Sequence, residues 1–193
     1  MTEPAKAAAR PMPPRPGLGA ERARLAEILR VDHAGELAAV QIYRGQQAVF
    51  AASGARPALG AAFGELQAQE AVHLAAFDAL LTERQVRPSL FTPLWRVAAF
   101  ALGAGTALMG EKAAHACTDA VEQVIEEHYA AQVEELADRE PEVAARLSKF
   151  RDEELAHQIL SVEQGAREAP AYPLLAAVIK AGCRAAIRTA EKL

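Results

Sequence analysis

The chain has 193 residues, 51% of them hydrophobic, and a formal net charge of -4, which suits one domain with a sizeable core. An acidic balance with only 5% aromatic residues excludes the polycationic surface of a nucleic-acid-binding protein. Cys117 and Cys183 lie far apart with no C-x-x-C pair, which excludes a zinc ribbon or a disulfide framework and reads as reduced thiols in a cytosolic setting.

Residues 1–20 form a proline-rich leader, with Pro4, Pro11, Pro13, Pro14 and Pro16 among Ala, Arg and Lys. It is expected to be disordered, and it lacks the apolar segment of a signal peptide or anchor. The remainder, 21–193, is one domain. Leu25, Ile28, Leu29, Leu37, Val40 and Ile42 recur at helical spacing between Glu21 and Val49, and so predict a first helix. After a turn at Ser53–Pro57, the positions of Leu59, Phe63, Leu66, His73, Leu74, Phe77, Leu80 and Leu81 predict a second, ending before Arg87-Pro88.

Val97 to Gly110 carries no charge and is interrupted by Gly103, Gly105 and Gly110. The run is too short to span a bilayer, which takes about 17 to 25 residues. Helices follow at Glu111–Ala137 and, after Pro141, at about Glu142–Arg167. Pro170 and Pro173 open a last segment, Leu174–Leu193, whose apolar residues alternate with Lys180, Arg184 and Arg188. The reading is all-α throughout.

Two Glu-x-x-His tetrads, Glu70 to His73 and Glu154 to His157, each follow a lone glutamate, Glu36 or Glu122. Residues three apart share a helix face, so each tetrad aims a carboxylate and an imidazole at one point. The two halves also repeat. Glu36 is followed by Tyr43 at +7, Gln46 at +10, Glu70 at +34 and His73 at +37; Glu122 is followed by Tyr129, Gln132, Glu154 and His157 at +7, +10, +32 and +35. Two similar helix hairpins then pair about a pseudo-twofold axis into a ferritin-like four-helix bundle. Such bundles hold two metal ions on one Glu from each of two helices and Glu-x-x-His from each of the others.

Buried without metal, the four carboxylates would repel one another and take up protons, at several kcal/mol each. Hard carboxylates with borderline imidazoles suit two irons, or manganese, with positions left open for dioxygen. The metal ligands expected are therefore Glu36, Glu70, His73, Glu122, Glu154 and His157.

The remaining polar residues read more plainly. His115 is expected on a solvated or interfacial helix face, and Glu126, Glu127, Glu134 and Glu135 on a solvated charged one. Asp32-His33 is either a hydrogen-bonding partner of the ligands or polar surface. Tyr43 and Tyr129 read as core aromatics with bonded hydroxyls. His128 and Tyr129 are candidates to relay protons or electrons.

Several stretches resemble a known family, the demethoxyubiquinone hydroxylases of ubiquinone biosynthesis. They are Arg30-Val-Asp-His-Ala-Gly-Glu36, Ile42-Tyr-Arg-Gly-Gln46, Pro93-Leu-Trp95, Ala99-Phe-Ala-Leu-Gly-Ala-Gly-Thr106, Ala116-Cys-Thr118 and His128-Tyr129. Further on come Phe150-Arg-Asp-Glu-Glu-Leu155, Ala169-Pro-Ala-Tyr172 and Ala181-Gly-Cys-Arg184. The likeness runs from about Leu25 to the C-terminus; ferritins and rubrerythrins share the ligand spacing but not the Leu-Gly-Ala-Gly-Thr segment. The departures are Gln123 and Gln158 beside ligands, and Leu37 after Glu36.

The resemblance implies that the six residues above bind two irons, with Glu70 and Glu154 bridging. It implies hydroxylation of the ring of 2-polyprenyl-3-methyl-6-methoxy-1,4-benzoquinol, with O2 as oxidant and electrons from NADH or another donor. No Gly-x-Gly-x-x-G marks a nucleotide site. A polyprenyl quinol partitions into the bilayer, so the apolar segments at about 94–109 and 174–187 are expected at a membrane surface. Arg96, Lys180, Arg184 and Arg188 would then lie near headgroups. The implied location is peripheral, on the cytoplasmic face of the cell membrane, in a homo-oligomer or a biosynthetic complex. The competing reading is a ferritin-like iron-storage protein, which has no use for the apolar run.

Overall fold

The structure is a computed structural model that describes residues 18–54 and 56–192. Residues 1–17, most of the expected leader, lie outside the described residues. Six helices follow in order: α1 (Leu18–Ala52), α2 (Pro57–Arg84), α3 (Thr92–Leu108), α4 (Glu111–Leu136), α5 (Pro141–Glu163) and α6 (Tyr172–Lys192). No strand occurs among the described residues. The all-α, ferritin-like expectation holds, with α1 starting inside the stretch given to the leader.

Local chemistry sets the boundaries. Pro57 and Pro141 occupy the first turns of α2 and α5, where a missing N–H costs nothing. Gln85 closes α2 in the left-handed region at φ 56°, and Val86 N–H donates to the Leu81 carbonyl at 2.8 Å. Gly110, at φ +117°, separates α3 from α4 in a conformation that side chains rarely adopt.

α1 pairs with α2 and α4 with α5, and the two hairpins enclose a polar layer between two apolar ones. Below it pack Leu25, Ile28, Leu29, Phe77, Leu80, Leu136, Leu147 and Phe150. Above it pack Tyr43, Phe50, Phe63, Leu66 and Ala114.

The apolar run departs from expectation at its glycines. Gly103 and Gly105 do not interrupt it, since α3 is continuous through both. It also has an internal partner, because α3 crosses α1 at backbone contact. A Cβ on Gly103 would stand 2.0 Å from the Ile42 carbonyl oxygen, and one on Gly45 would stand 2.4 Å from that of Phe100. The outer face of α3 is nonetheless exposed at Leu94, Val97, Leu108 and Met109, and that of α6 at Leu174 and Val178. No helix among the described residues is long and apolar enough to cross a membrane.

The basic residues of α6 are only partly free to meet headgroups. Lys180 donates to Gln123, and Arg184 pairs with Glu127 at 3.0 Å, so both lie against α4. Of the acidic face expected to be merely solvated, Glu135 receives a two-pronged Arg24 guanidinium at 2.8 and 2.9 Å. Glu126 lies 3.7 Å from Arg151.

Candidate metal centre

The bundle brings all six expected ligands together. Glu36 comes from α1, Glu70 and His73 from α2, Glu122 from α4, and Glu154 and His157 from α5; every one is buried. They form two overlapping groups, Glu36-Glu70-His73-Glu154 and Glu70-Glu122-Glu154-His157, with ligand atoms within 4.8 Å of one another. Glu70 and Glu154 belong to both groups, as bridging carboxylates must.

The imidazoles are aimed by what lies behind them. His73 turns Nδ1 to Glu154 Oε1 at 2.9 Å and Nε2 to Glu153 Oε2 at 2.8 Å. His157 turns Nδ1 to Glu70 Oε1 at 2.9 Å and Nε2 to Gln69 Oε1 at 2.6 Å. Glu153 and Gln69 offer acceptors there, so each Nε2 carries the hydrogen and a neutral ring leaves its Nδ1 lone pair facing the carboxylates. His73 also stacks on Phe150, with centroids 4.2 Å apart.

Each lone glutamate is held by the tyrosine of the opposite hairpin. Tyr43 Oη donates to Glu122 at 2.5 Å, and Tyr129 Oη donates to Glu36. Burial, followed by the facing carboxylates, pushes both phenols well above their ordinary range, so they stay donors.

The residues fit a pair of divalent cations. Glu36 Oε2 and Glu122 Oε2 are buried without a hydrogen-bond donor, and the Glu70 oxygens meet only the Nδ1 atoms of His157 and His73, at 2.9 and 3.5 Å, an arrangement that polar groups avoid unless something else satisfies them. Burial pushes Glu36 and Glu122 well above the carboxylate range. At Glu70 burial acts in the same direction, but the His157 and His73 imidazoles outweigh it and hold the group down at about 2. His157 is lowered by burial and raised further by Glu154 and Glu70, to about 9; His73 is raised by the same balance. The cluster thus binds protons that cations would displace.

Two hollows flank the cluster. The first, of about 410 Å³, runs between α1, α3, α4 and α6; Ile42, Leu102, Val121, Ile125 and Ile179 are among its apolar walls, with Glu36, Asp32, His128 and Tyr129 as the polar exceptions. The second is a wider groove of about 840 Å³ between α2, α4 and α5, with Arg56, Glu65 and Glu111 at its mouth and His157, Gln69 and His115 along it. His115 is a correction to the expected exposed face. It is buried, packs on Phe63 with centroids 5.0 Å apart, and neither ring nitrogen has a partner. Burial lowers its pKa and keeps it neutral.

Of the residues left open, Asp32 is buried and accepts from Gln132 at 2.8 Å. Gln132 in turn lies 2.8 Å from His128. Of the two relay candidates, Tyr129 touches Glu36 directly; His128 is linked through Gln132 to Asp32, with no bond onward to the cluster among the described residues. His33 pairs with Asp78 at 3.0 Å, away from the cluster. Asp119 was not singled out from the sequence, although it is wholly buried. It accepts from Gln123 at 2.7 Å, Gln158 at 3.1 Å and the Tyr172 hydroxyl, which fastens α4 to α5 and α6. Gln69 and Glu153 were also passed over, although each stands immediately before a glutamate shared by the two groups. Both thiols are free, and burial raises them to about 12 at Cys117 and about 11 at Cys183, so they act as apolar filler.

Two like hairpins around four carboxylates and two imidazoles define a ferritin-like four-helix bundle with a buried cluster that could hold metal ions. Residues 23–190 match the family model described as ubiquinone biosynthesis protein COQ7, and the chain belongs to that family. A Rhodospirillum rubrum protein named 3-demethoxyubiquinol 3-hydroxylase is 49% identical over 92% of this chain and 82% of its own length. A Homo sapiens protein, NADPH-dependent 3-demethoxyubiquinone 3-hydroxylase, mitochondrial, is 46% identical over 89% of this chain and 79% of its own. The Saccharomyces cerevisiae 5-demethoxyubiquinone hydroxylase, mitochondrial, is 39% identical over 90% and 80%.

Proposed function

We propose that the chain is the ubiquinone-biosynthetic monooxygenase that hydroxylates the ring of a demethoxyubiquinol, 2-polyprenyl-3-methyl-6-methoxy-1,4-benzoquinol. The observation that carries this reading is that the apolar cavity has the ligand Glu36 in its wall. A storage bundle needs no such apolar approach. The overall change is ring C–H plus O2, two electrons and two protons to ring C–OH plus water. The electrons come from NADH, NADPH or another donor.

Glu36, Glu70, His73, Glu122, Glu154 and His157 would hold two irons, with Glu70 and Glu154 shared. Bound there, the pair supplies the redox chemistry that reduces dioxygen and delivers one oxygen atom to the ring. The chain's own residues do the rest. The apolar walls accept the quinol and keep water from the reacting face. Tyr129 fixes Glu36, the ligand nearest the substrate, by donating to it. His128, 22% exposed in the cavity wall and 3.6 Å from Asp32, is the candidate to exchange protons there.

α3 and α6 line the cavity and carry the exposed apolar side chains outside it. This supports a peripheral seat on a membrane, with the prenyl tail entering from the bilayer between the two helices. The cytoplasmic face of the cell membrane, and a homo-oligomer or biosynthetic complex there, complete the reading.

The test is rescue of a strain that accumulates demethoxyubiquinone, scored by the quinone produced, alongside metal analysis of the purified protein. Two irons per chain and rescue are expected, and Glu154→Ala or His157→Ala abolishes both. Full hydroxylation by iron-free protein refutes the mechanism.

A further inference from the structure

The pseudo-twofold axis that relates Glu36 to Glu122, Glu70 to Glu154 and His73 to His157 also relates Gln69 to Glu153. Each directly precedes a bridging glutamate, and each receives the Nε2 hydrogen of the opposite hairpin's histidine. The ligands obey the symmetry; the residues behind them do not. His73 is backed by a carboxylate, whose other oxygen lies 3.4 Å from Lys149 Nζ, and His157 by a neutral amide. An imidazole that donates to a carboxylate is the stronger electron donor to a metal, and such partners change metal affinity about 10- to 100-fold.

We infer that the two metal positions are unequal: the Glu36/His73 position holds its ion tightly, while the Glu122/His157 position holds its ion loosely and exchanges it through the polar groove. The inference rests on the dinuclear reading above. The surroundings support it independently of the amide. The groove passes His157, with Glu65 at its mouth beside the Arg56–Glu111 ion pair, 2.9 Å apart, and the unpartnered His115 along it as a donor for an ion in transit. His73 is instead closed in by the Phe150 ring and Glu153. The approach past Glu36 runs through apolar walls that a hydrated cation does not cross.

The test is anaerobic titration of the metal-free full chain with Co²⁺, followed by calorimetry and visible absorption, then timed removal from the two-cobalt protein by a chelator. Two steps separated by about tenfold or more are expected, with half of the cobalt leaving quickly. Glu153→Gln weakens the tight step by about 10- to 100-fold, so the steps merge and both ions leave quickly. Gln69→Glu tightens the loose step and slows the fast half. These swaps preserve side-chain size at positions open to solvent, and circular dichroism verifies the fold. Two equal steps in the native protein, or swaps that leave both affinities unchanged, overturn the inference and leave the dinuclear reading intact. Fewer than two ions per chain overturns both.

Discussion

Two glycines one residue apart from being neighbours on α3 should respond to the same substitution with opposite signs. Gly103 faces α1, and its added Cβ would lie 2.0 Å from the Ile42 carbonyl oxygen, 1.0 Å inside the 3.0 Å below which real Cβ atoms essentially never approach. The obstacle is backbone, so no rotamer relieves it and the helices must part. Overpacking of this kind costs about 1–3 kcal/mol; at about 2–4 °C per kcal/mol for a chain of this size, Gly103→Ala lowers Tm by roughly 2–12 °C. Gly105 has nothing within 4 Å of its Cβ position, so Gly105→Ala adds helix propensity, up to about 1 kcal/mol, and raises Tm slightly.

Ala38 and Ile42 of α1 and Ala99 and Leu102 of α3 line the apolar cavity, so parting the helices also reshapes the quinol's approach. Gly103→Ala should raise KM for the quinol more than Gly105→Ala does. Scanning calorimetry on the pair decides the stability claim. Equal Tm values, or a Gly103→Ala protein as stable as the parent, would refute the close crossing.

Three further outcomes follow from the site. Tyr129→Phe and Tyr43→Phe each strip a buried carboxylate of its donor and destabilise the metal-free protein by about 1–3 kcal/mol, read by urea unfolding; only Tyr129 lines the cavity, so turnover falls more in that variant. Metal loading at neutral pH releases up to four protons, from Glu36, Glu122, His73 and His157, all of which are raised in the metal-free fold. Calorimetry in buffers of different ionisation enthalpy counts them, and metal affinity rises with pH. By the same sign, the metal-free fold binds protons that the unfolded chain does not, so its stability falls as pH rises through those folded-state values, about 9 for His157. Asp119→Ala orphans Gln123, Gln158 and Tyr172 and lowers stability by about 1–3 kcal/mol, while Asp119→Asn, which keeps one acceptor, loses less.

The clustering of the six residues was legible because its information is local. Two Glu-x-x-His tetrads at matched offsets fix which faces turn inward, whatever the rest of the chain does. The role of the glycines was not legible. The same residue marks a helix break or a close helix crossing, and only the identity of the partner, α1, distinguishes them. His115 could have been placed correctly, since it lies seven residues before Glu122 and therefore on the same inward face of α4; the alanine-rich context around it hid the stripe. The headgroup role of the basic residues of α6 came from the resemblance and its membrane-soluble substrate, which say nothing of Gln123 and Glu127 on α4 as partners for Lys180 and Arg184. The cavity had no sequence signature, because it is the space left where four helices do not meet.

A duplicated hairpin should produce a duplicated environment, and here it does so only at the six clustered residues and the tyrosines that hold two of them. Tyr43 and Tyr129, at the same offset in each half, do the same job on opposite glutamates. Gln46 and Gln132, also at one offset, have parted: the first donates to the Ala114 carbonyl, the second to Asp32 beside the cavity. Each half has therefore kept what the metal cluster demands and diverged in what surrounds it, so that apolar space lies beside Glu36 and polar space beside His157. With two equivalent faces, oxygen chemistry would be as open to water as to a quinol. On the proposed function, the divergence of α3, α6 and the partners of His73 and His157 gives an otherwise symmetric centre a substrate side and a solvent side.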